Sequence, residues 1–294
     1  MLKVNALTRR YGDATVLDDV TFDVAPGRIT GFVGANGAGK TTTMRIIVGV
    51  LAPNSGQVLW NGEPVTTEQR RRFGYMPEER GLYPKMKILD QLVFFARLHG
   101  SAAGEAAARA NELLERLGLG ERTGDLLETL SLGNQQRVQI AAALIHRPVA
   151  LIMDEPFSGL DPVAVDAMVS LLRDDVSPQV PVLFSTHQME LVERLCDDLV
   201  ILSDGRLLAA GSSEELRNQG PERYRISLTA GSDAAWLREL REIRVLDAAG
   251  PTALVELAGA EPGPLLASVM KKTPVVEFAR VVRPLSEIYK EAVR

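Results

Sequence analysis

Gly34-Ala35-Asn36-Gly37-Ala38-Gly39-Lys40-Thr41 is the stretch whose reading decides the fold. It fits G-x-x-x-x-G-K-[ST], and each residue type answers a separate demand of phosphate binding. Glycines let backbone N–H groups curl around anionic oxygens, in conformations costly for residues with a Cβ. The Lys40 ammonium would reach the β- and γ-phosphates, and the Thr41 hydroxyl would ligate Mg²⁺. The flanks agree. Residues 29–33 (ITGFV) form a short apolar run that reads as a buried strand. From Thr41 the pattern turns helical, with Met44, Ile47 and Val48 at helical spacing, so a helix N-terminus faces the loop. Asn36, Gly37, Ala38, Gly39, Lys40, Thr41 and Thr42 are the candidate nucleotide-binding residues.

Working outward, residues 149–153 and 182–185 are two more apolar strand runs, and strands alternating with helices predict an α/β sheet with parallel strands. The first of these ends in Asp154-Glu155, following the glycine loop by about a hundred residues, as the second half of a phosphate site does. Asp154 is placed to hold Mg²⁺ through its shell and Glu155 to polarise the attacking water. Before the loop, Leu2, Val4 and Ala6 alternate with polar residues, Gly12-Asp13 and Pro26-Gly27 mark turns, and residues 20–24 read as strand. Residues 58–60 followed by Asn61-Gly62 predict a hairpin corner. A helical region runs from Leu89 to about Leu117, with Leu92, Phe95, Ala96 and Leu98 expected on one face and Leu113, Leu114 and Leu117 on another.

Further motifs resemble one family. Leu130-Ser131-Leu132-Gly133-Asn134-Gln135-Gln136 is similar to the signature of ABC ATPases and precedes Asp154-Glu155 at that family's distance. Ser158-Gly159-Leu160-Asp161 resembles the D-loop, and Ser185-Thr186-His187 the switch histidine. The wording of residues 77–83 (PEERGLY) and 184–190 (FSTHQME) looks like ATPases of bacterial sodium- and drug-efflux exporters, which carry an extra C-terminal domain. The resemblance implies a P-loop NTPase core of ABC-ATPase type over residues 1–219, α/β, with an antiparallel β subdomain and a helical insert at about 78–135. It implies that Tyr11 stacks on adenine, with Val16 beside the nucleotide, and that His187 contacts the γ-phosphate with Glu155 as the catalytic carboxylate. A tyrosine beside glycine is also an ordinary strand-edge residue. Ser131, Leu132, Gly133 and Asn134 would close over the γ-phosphate bound by another subunit, sandwiching two ATPs head to tail. Ser131 also reads as a helix cap, and the two readings are compatible. Ser158 and Asp161 belong to the D-loop.

Two departures stand out. Leu132 and Asn134 occupy positions where the commonest family form has Gly and Gln; asparagine keeps an amide donor and acceptor. Glu78 stands where most members place a glutamine that contacts Mg²⁺ and the attacking water. A carboxylate can ligate Mg²⁺, alongside Thr41 and Asp154, but donates no hydrogen bond when ionised. Its role lies in catalysis or in coupling to a partner. His99 and His146 have no comparable setting and read as structural or exposed.

Near Gly220-Pro221 the character changes, and residues 222–294 read as βαββαβ with a terminal helix, suiting a small α+β, ferredoxin-like accessory domain. Strands are expected at 224–228, 243–246, 253–257 and 275–282, and helices at 233–240, 264–270 and 284–293, with Leu285, Ile288 and Tyr289 on one face. At about 70 residues it is near the lower limit for a stable core, so docking would help it. It would stabilise the dimer or tune closure, or else dock passively on its own ATPase core.

The 294 residues are 46% hydrophobic and 24% charged, which suits a globular protein with real cores. A net charge of -5 argues against a broad nucleic-acid-binding surface and leaves room only for a local basic patch. Cys196 is the only cysteine, so no intrachain disulfide framework exists and a reducing compartment is expected. The N-terminus lacks a secretory apolar stretch, and no run approaches the roughly 18–20 apolar residues that span a bilayer. The resemblance therefore implies an Mg²⁺-dependent ATPase subunit at the cytoplasmic face of a membrane. A separate transmembrane permease and a second nucleotide-binding subunit, identical or related, would complete the exporter. A soluble ABC ATPase in a non-transport role is the alternative; a chromosome-type member would need a long coiled-coil insert, for which residues 78–131 leave no room.

Overall fold

A computed structural model describes residues 1–79, 81–175, 179–259 and 261–293, with the side chain of residue 175 excepted. The chain divides into two compact units, one built on Met1–Ser212 and the other on Ser213–Glu291.

In the first unit, β1 (Leu2–Tyr11) and β2 (Ala14–Val24) form a hairpin, and β3 (Ile29–Val33) runs into the glycine loop and α1 (Lys40–Ile47). Next come β4 (Ser55–Trp60), β5 (Glu63–Pro64), α2 (Thr67–Arg71) and β6 (Phe73–Met76). The helical part holds α3 (Ile88–Leu98), α4 (Ala103–Arg116) and α5 (Leu132–Leu144). The chain returns through β7 (Ala150–Met153), α6 (Pro162–Asp175), β8 (Val182–Thr186), α7 (Met189–Leu195), β9 (Asp198–Ser203) and β10 (Arg206–Ser212).

Two sheets result. The antiparallel one has the order β2-β1-β4-β5, and the six-stranded one β10-β9-β3-β8-β7-β6. Strands β9, β3, β8, β7 and β6 are mutually parallel, with β10 antiparallel at the edge. Strands β7 and β8 are buried at every position, which is why they read as continuous apolar runs rather than alternating ones. Leu2, Val4, Phe22, Phe32, Met44, Ile46, Ile47 and Ile152 share one core between the sheets and α1, seating the loop on packed residues at both ends.

One expected face differs. Leu92 and Ala96 of α3 are buried, but Leu98 is 66% exposed. Six residues rotate a helix by about 240° relative to the start, so Leu98 cannot share the inward face of Leu92. Leu113, Leu114 and Leu117 are all buried as the spacing predicts.

The second unit opens with α8 (Ser213–Arg217) and contains β11 (Arg223–Leu228), β12 (Ile243–Ala249), β13 (Thr252–Leu257), α9 (Pro262–Lys272), β14 (Val275–Val281) and α10 (Leu285–Ala292). Its sheet has the order β12-β13-β11-β14 and is antiparallel throughout. Ile226, Leu237, Val255, Leu265 and Val269 form its core. The helix expected at 233–240 is a 3₁₀ helix, Ala234–Glu239. Asp233 caps it by accepting from Ala235 N at 2.9 Å, and the short span before β12 favours the tighter turn.

Candidate active site

Strands β3, β8 and β7 are neighbours and parallel, so the segments leaving their C-terminal ends meet at one edge of the sheet. Open α/β sheets place ligands there. The loop after β3 is built for close approach. A Cβ at Gly34 would lie 2.4 Å from the Leu202 carbonyl oxygen. Gly39 caps α1 with φ at 104°, and a Cβ there would meet Leu17 Cδ2 at 2.6 Å and the Val16 carbonyl oxygen at 2.9 Å. That contact brings Val16, half-buried on β2, against the loop. Only glycine serves at Gly39, on grounds of both space and dihedral. Lys40 is 7% exposed, and its Nζ donates to the carbonyls of Gly34 at 2.7 Å and Ala35 at 3.2 Å. An ammonium has three donors, so this tether holds the charge over the loop while leaving one N–H for an anion.

Beyond β7, Asp154 is 1% exposed and Glu155 8%. The Ser185 hydroxyl donates to Asp154 Oδ1 at 2.5 Å and accepts from Glu155 N at 2.8 Å. Gln136 Nε2 of α5 donates to the carbonyls of Glu155 at 3.2 Å and Pro156 at 3.1 Å. These bonds hold Glu155 at φ 48°, a left-handed conformation uncommon outside glycine. Its Oε1 lies 3.0 Å from Nδ1 of His187, just past β8. An ionised carboxylate only accepts, so Nδ1 carries the proton in this contact.

The remaining predicted residues fall around this centre. Ser131 caps α5, its hydroxyl accepting from Asn134 N at 3.4 Å, while Leu132 is 60% exposed. A Cβ at Gly133 would meet the Gly159 carbonyl at 3.3 Å, so signature and D-loop pack together within the chain. Ser158 N donates to the Glu155 carbonyl at 3.2 Å, and Asp161 Oδ1 caps α6 by accepting from Ala164 N at 2.8 Å. Asn36 and Gly37 are exposed, Ala38 is buried, and Thr41 and Thr42 are half-buried. Tyr11, 50% exposed, ends β1 with the Arg9 guanidinium 4.5 Å over its ring. Glu78 is exposed on the loop after β6; Gln139 Nε2 donates to the carbonyls on either side of it, Pro77 at 2.6 Å and Glu79 at 3.4 Å.

Asp154 Oδ2 is buried with no hydrogen-bond partner among the described residues. A buried carboxylate oxygen left open at the end of an apolar strand fits a hard divalent cation such as Mg²⁺. The sequence reading did not assign roles to Ser185, Gln136, Gln139 or Arg9. Gln136 and Ser185 stand within the signature and switch-histidine stretches, whereas Gln139 and Arg9 offer only their polar type within a helix and a strand. His99 and His146 stack with ring centroids 3.8 Å apart, and burial, then the neighbouring His99, pushes the His146 pKa down to about 4.

The protein family described as ABC transporter matches residues 17–158. An uncharacterized ABC transporter ATP-binding protein, YhaQ of Bacillus subtilis, is 44% identical over 74% of this chain and 73% of its own. The linearmycin resistance ATP-binding protein LnrL of the same organism is 34% identical over 83% of this chain and 79% of its own. A Nod factor export ATP-binding protein I from Cupriavidus metallidurans is 37% identical over 74% and 72%. A solved structure described as the ATP binding subunit of an ABC transporter superposes with a TM-score of 0.69 at 35% identity, covering 74% of this chain and 92% of that one. Fold, motif order and relatives converge, and the chain belongs to the ABC transporter ATP-binding proteins, a family of ATPases.

Proposed function

We propose that the chain is the ATP-hydrolysing subunit of a membrane exporter and acts as one half of a head-to-tail dimer. The observation that carries this reading is the convergence of Lys40, Asp154, Glu155 and His187 at the C-terminal edge of three adjacent parallel strands. The glycine loop and Lys40 would bind the phosphates, Tyr11 and Val16 would flank the base, and Glu155 would polarise the attacking water with His187 orienting it. Mg²⁺, held by Thr41 and Asp154 with Glu78 near the γ-phosphate, would neutralise charge developing on the phosphate oxygens.

Support for the dimer comes from the surface beside the signature. Leu132 is 60% and Val163 76% exposed, an apolar pair on the first turns of α5 and α6 that burial against a second subunit would cover. Ser131 and Gly133 would then meet the γ-phosphate on the other subunit's Lys40. Export is supported by the relatives named for Nod factor export and linearmycin resistance. Among the described residues, no helix is long and apolar enough to cross a membrane, so a separate permease would supply the crossing. The exposed cluster of Tyr83 (52%), Phe94 (40%) and Leu98 (66%) offers that permease an apolar surface at the cytoplasmic face.

Complementation tests the reading. Ser131→Arg should abolish hydrolysis yet leave monomeric ATP binding intact, and Lys40→Ala should abolish both. Mixing the two chains equally should restore up to about a quarter of the active sites, since half the dimers are mixed and each has one intact composite site. Full activity of Ser131→Arg alone would refute the shared site.

A further inference from the structure

We propose that Ser185 is a positioning residue for the catalytic cation: it fixes the Asp154 carboxylate so that a single oxygen, Oδ2, is presented to the metal, and ties that carboxylate to the backbone of Glu155. The inference rests on the reading of Asp154 as the Mg²⁺ carboxylate.

Strand register brings the residues together. β7 and β8 pair in parallel with Met153 opposite Phe184, so the next residue of each strand, Asp154 and Ser185, stand side by side. Both are sealed from solvent, Ser185 at 0% and Asp154 at 1% exposure. The direction of each hydrogen bond then follows from donor inventory. A backbone N–H can only donate, so Ser185 Oγ must accept from Glu155 N at 2.8 Å. Its one proton is left for Asp154 Oδ1 at 2.5 Å, a length typical of a hydroxyl donating to an ionised carboxylate. Asp154 N is also held, donating to the Met76 carbonyl at 2.8 Å.

The carboxylate is thus half-satisfied. Oδ1 is occupied by a neutral donor and Oδ2, also buried, has none among the described residues. An ionised oxygen in that condition is costly unless a cation completes it. The terminal torsion of an aspartate is broad and two-fold, so without Ser185 either oxygen could face the metal and neither would be held. An alanine would fill nearly the same space at the strand end but leave Asp154 Oδ1 and Glu155 N both without this partner. Ser185 also sits two residues before His187, so the strand carrying the histidine is pinned to the two acidic residues by one hydroxyl.

The test compares the full-length wild type with S185A, S185T and D154N. Binding of a fluorescent ATP analogue is measured in EDTA, and Mn²⁺ binding to the complex with a non-hydrolysable analogue is followed by electron paramagnetic resonance. Ser185→Ala should keep the EDTA affinity while raising the Mn²⁺ half-saturation about tenfold, as loss of an outer-shell partner does. Ser185→Thr, which retains the hydroxyl, should stay near wild type, and Asp154→Asn should shift at least as far as Ser185→Ala. An unchanged Mn²⁺ curve for Ser185→Ala beside a shifted Asp154→Asn overturns the inference alone. An unshifted Asp154→Asn overturns the metal reading beneath it. A parallel loss of EDTA and Mn²⁺ affinity in Ser185→Ala, or failure of Ser185→Thr to rescue, reduces Ser185 to packing.

Discussion

His187 Nδ1 and Glu155 Oε1, 3.0 Å apart, link the ends of β8 and β7 across a carboxylate that is 8% exposed. The Glu155 carboxylate bonds to its histidine partner while Lys40 is tethered to the carbonyls of Gly34 and Ala35, so the expected work of Glu155 is on the water and not on nucleotide binding. Glu155→Gln should retain ATP affinity while kcat falls at least ~100-fold. It should also accumulate an ATP-bound dimer on size-exclusion chromatography. If His187 acts by orienting Glu155, the two losses share one mechanism. His187→Ala added to Glu155→Gln should then cost almost nothing more, whereas two independent contributions would multiply.

Glu78 lies on a stretch whose backbone is clasped on both sides by Gln139, so the position is held even though the side chain is exposed. If the carboxylate serves the cation or the water, Glu78→Ala should lower kcat and Glu78→Gln should largely retain it. Steady-state ATPase assays of the isolated chain decide this. Equal rates for wild type and both variants would remove Glu78 from the chemistry and leave coupling to the permease as its role.

Acid should weaken the first unit through His146. Its Nε2 lies 3.2 Å from the Phe73 carbonyl, and burial with the stacked His99 lowers its pKa to about 4. The unfolded chain takes up the proton near the ordinary value of about 6.5, before the folded state does. The unfolded state therefore binds more protons across that window, and stability is complete above it. It is lost as pH falls from about 6.5 toward 4, by up to about 3 kcal/mol. His146→Gln keeps an N–H for Phe73 and removes the titration. Thermal melts between pH 7.5 and 4.5 should show a shallower acid slope for this variant, and an identical slope would reject His146 as the source.

How far the sequence reveals this site depends on whether its contacts are local. Residues 29–33 are the third strand as the apolar run predicts, and Lys40 opens the helix after the glycine loop, because sterics and burial act within a few residues there. The Ser185–Asp154 bond depends on the register of two strands joined through a helix, and no periodicity encodes that register. The His99–His146 stack likewise joins α3 to the end of α5. Leu98 departs from its expected face for a different reason: hydrophobic type alone carries no angle, and the exposed leucine belongs with Tyr83 and Phe94 on the surface. Arg223 shows the same limit in the second unit, since its partner is chosen by the β11–β13 pairing, in which Arg223 faces Glu256.

That pairing carries the last prediction. Arg223 is 7% and Glu256 8% exposed; the guanidinium donates to Glu256 Oε1 at 2.9 Å and to Glu287 at 2.6 and 2.7 Å. The hydrogen bond from Arg223 holds the Glu287 carboxyl below its ordinary range, so its contribution is present above the usual carboxylate pKa and disappears as pH falls through the lowered value. Arg223→Met keeps the aliphatic bulk but removes the close cation from Glu256 Oε1, leaving the buried carboxylate with Arg244, whose more exposed guanidinium lies 3.8 Å from Oε2. Breaking a buried pair costs up to about 3–5 kcal/mol where the charge is left uncompensated, and less where a second cation such as Arg244 remains, still a large share of what a small unit can hold. Calorimetry of the variant should show the second unit melting at lower temperature, while ATP affinity, carried by residues of the first unit, stays unchanged. Arg223→Met with Glu256→Gln should recover part of the loss, since the stranded charge is then gone. A variant whose melting matches wild type would mean that the ion pair contributes nothing net and that the unit rests on Ile226, Val255 and Val269 alone.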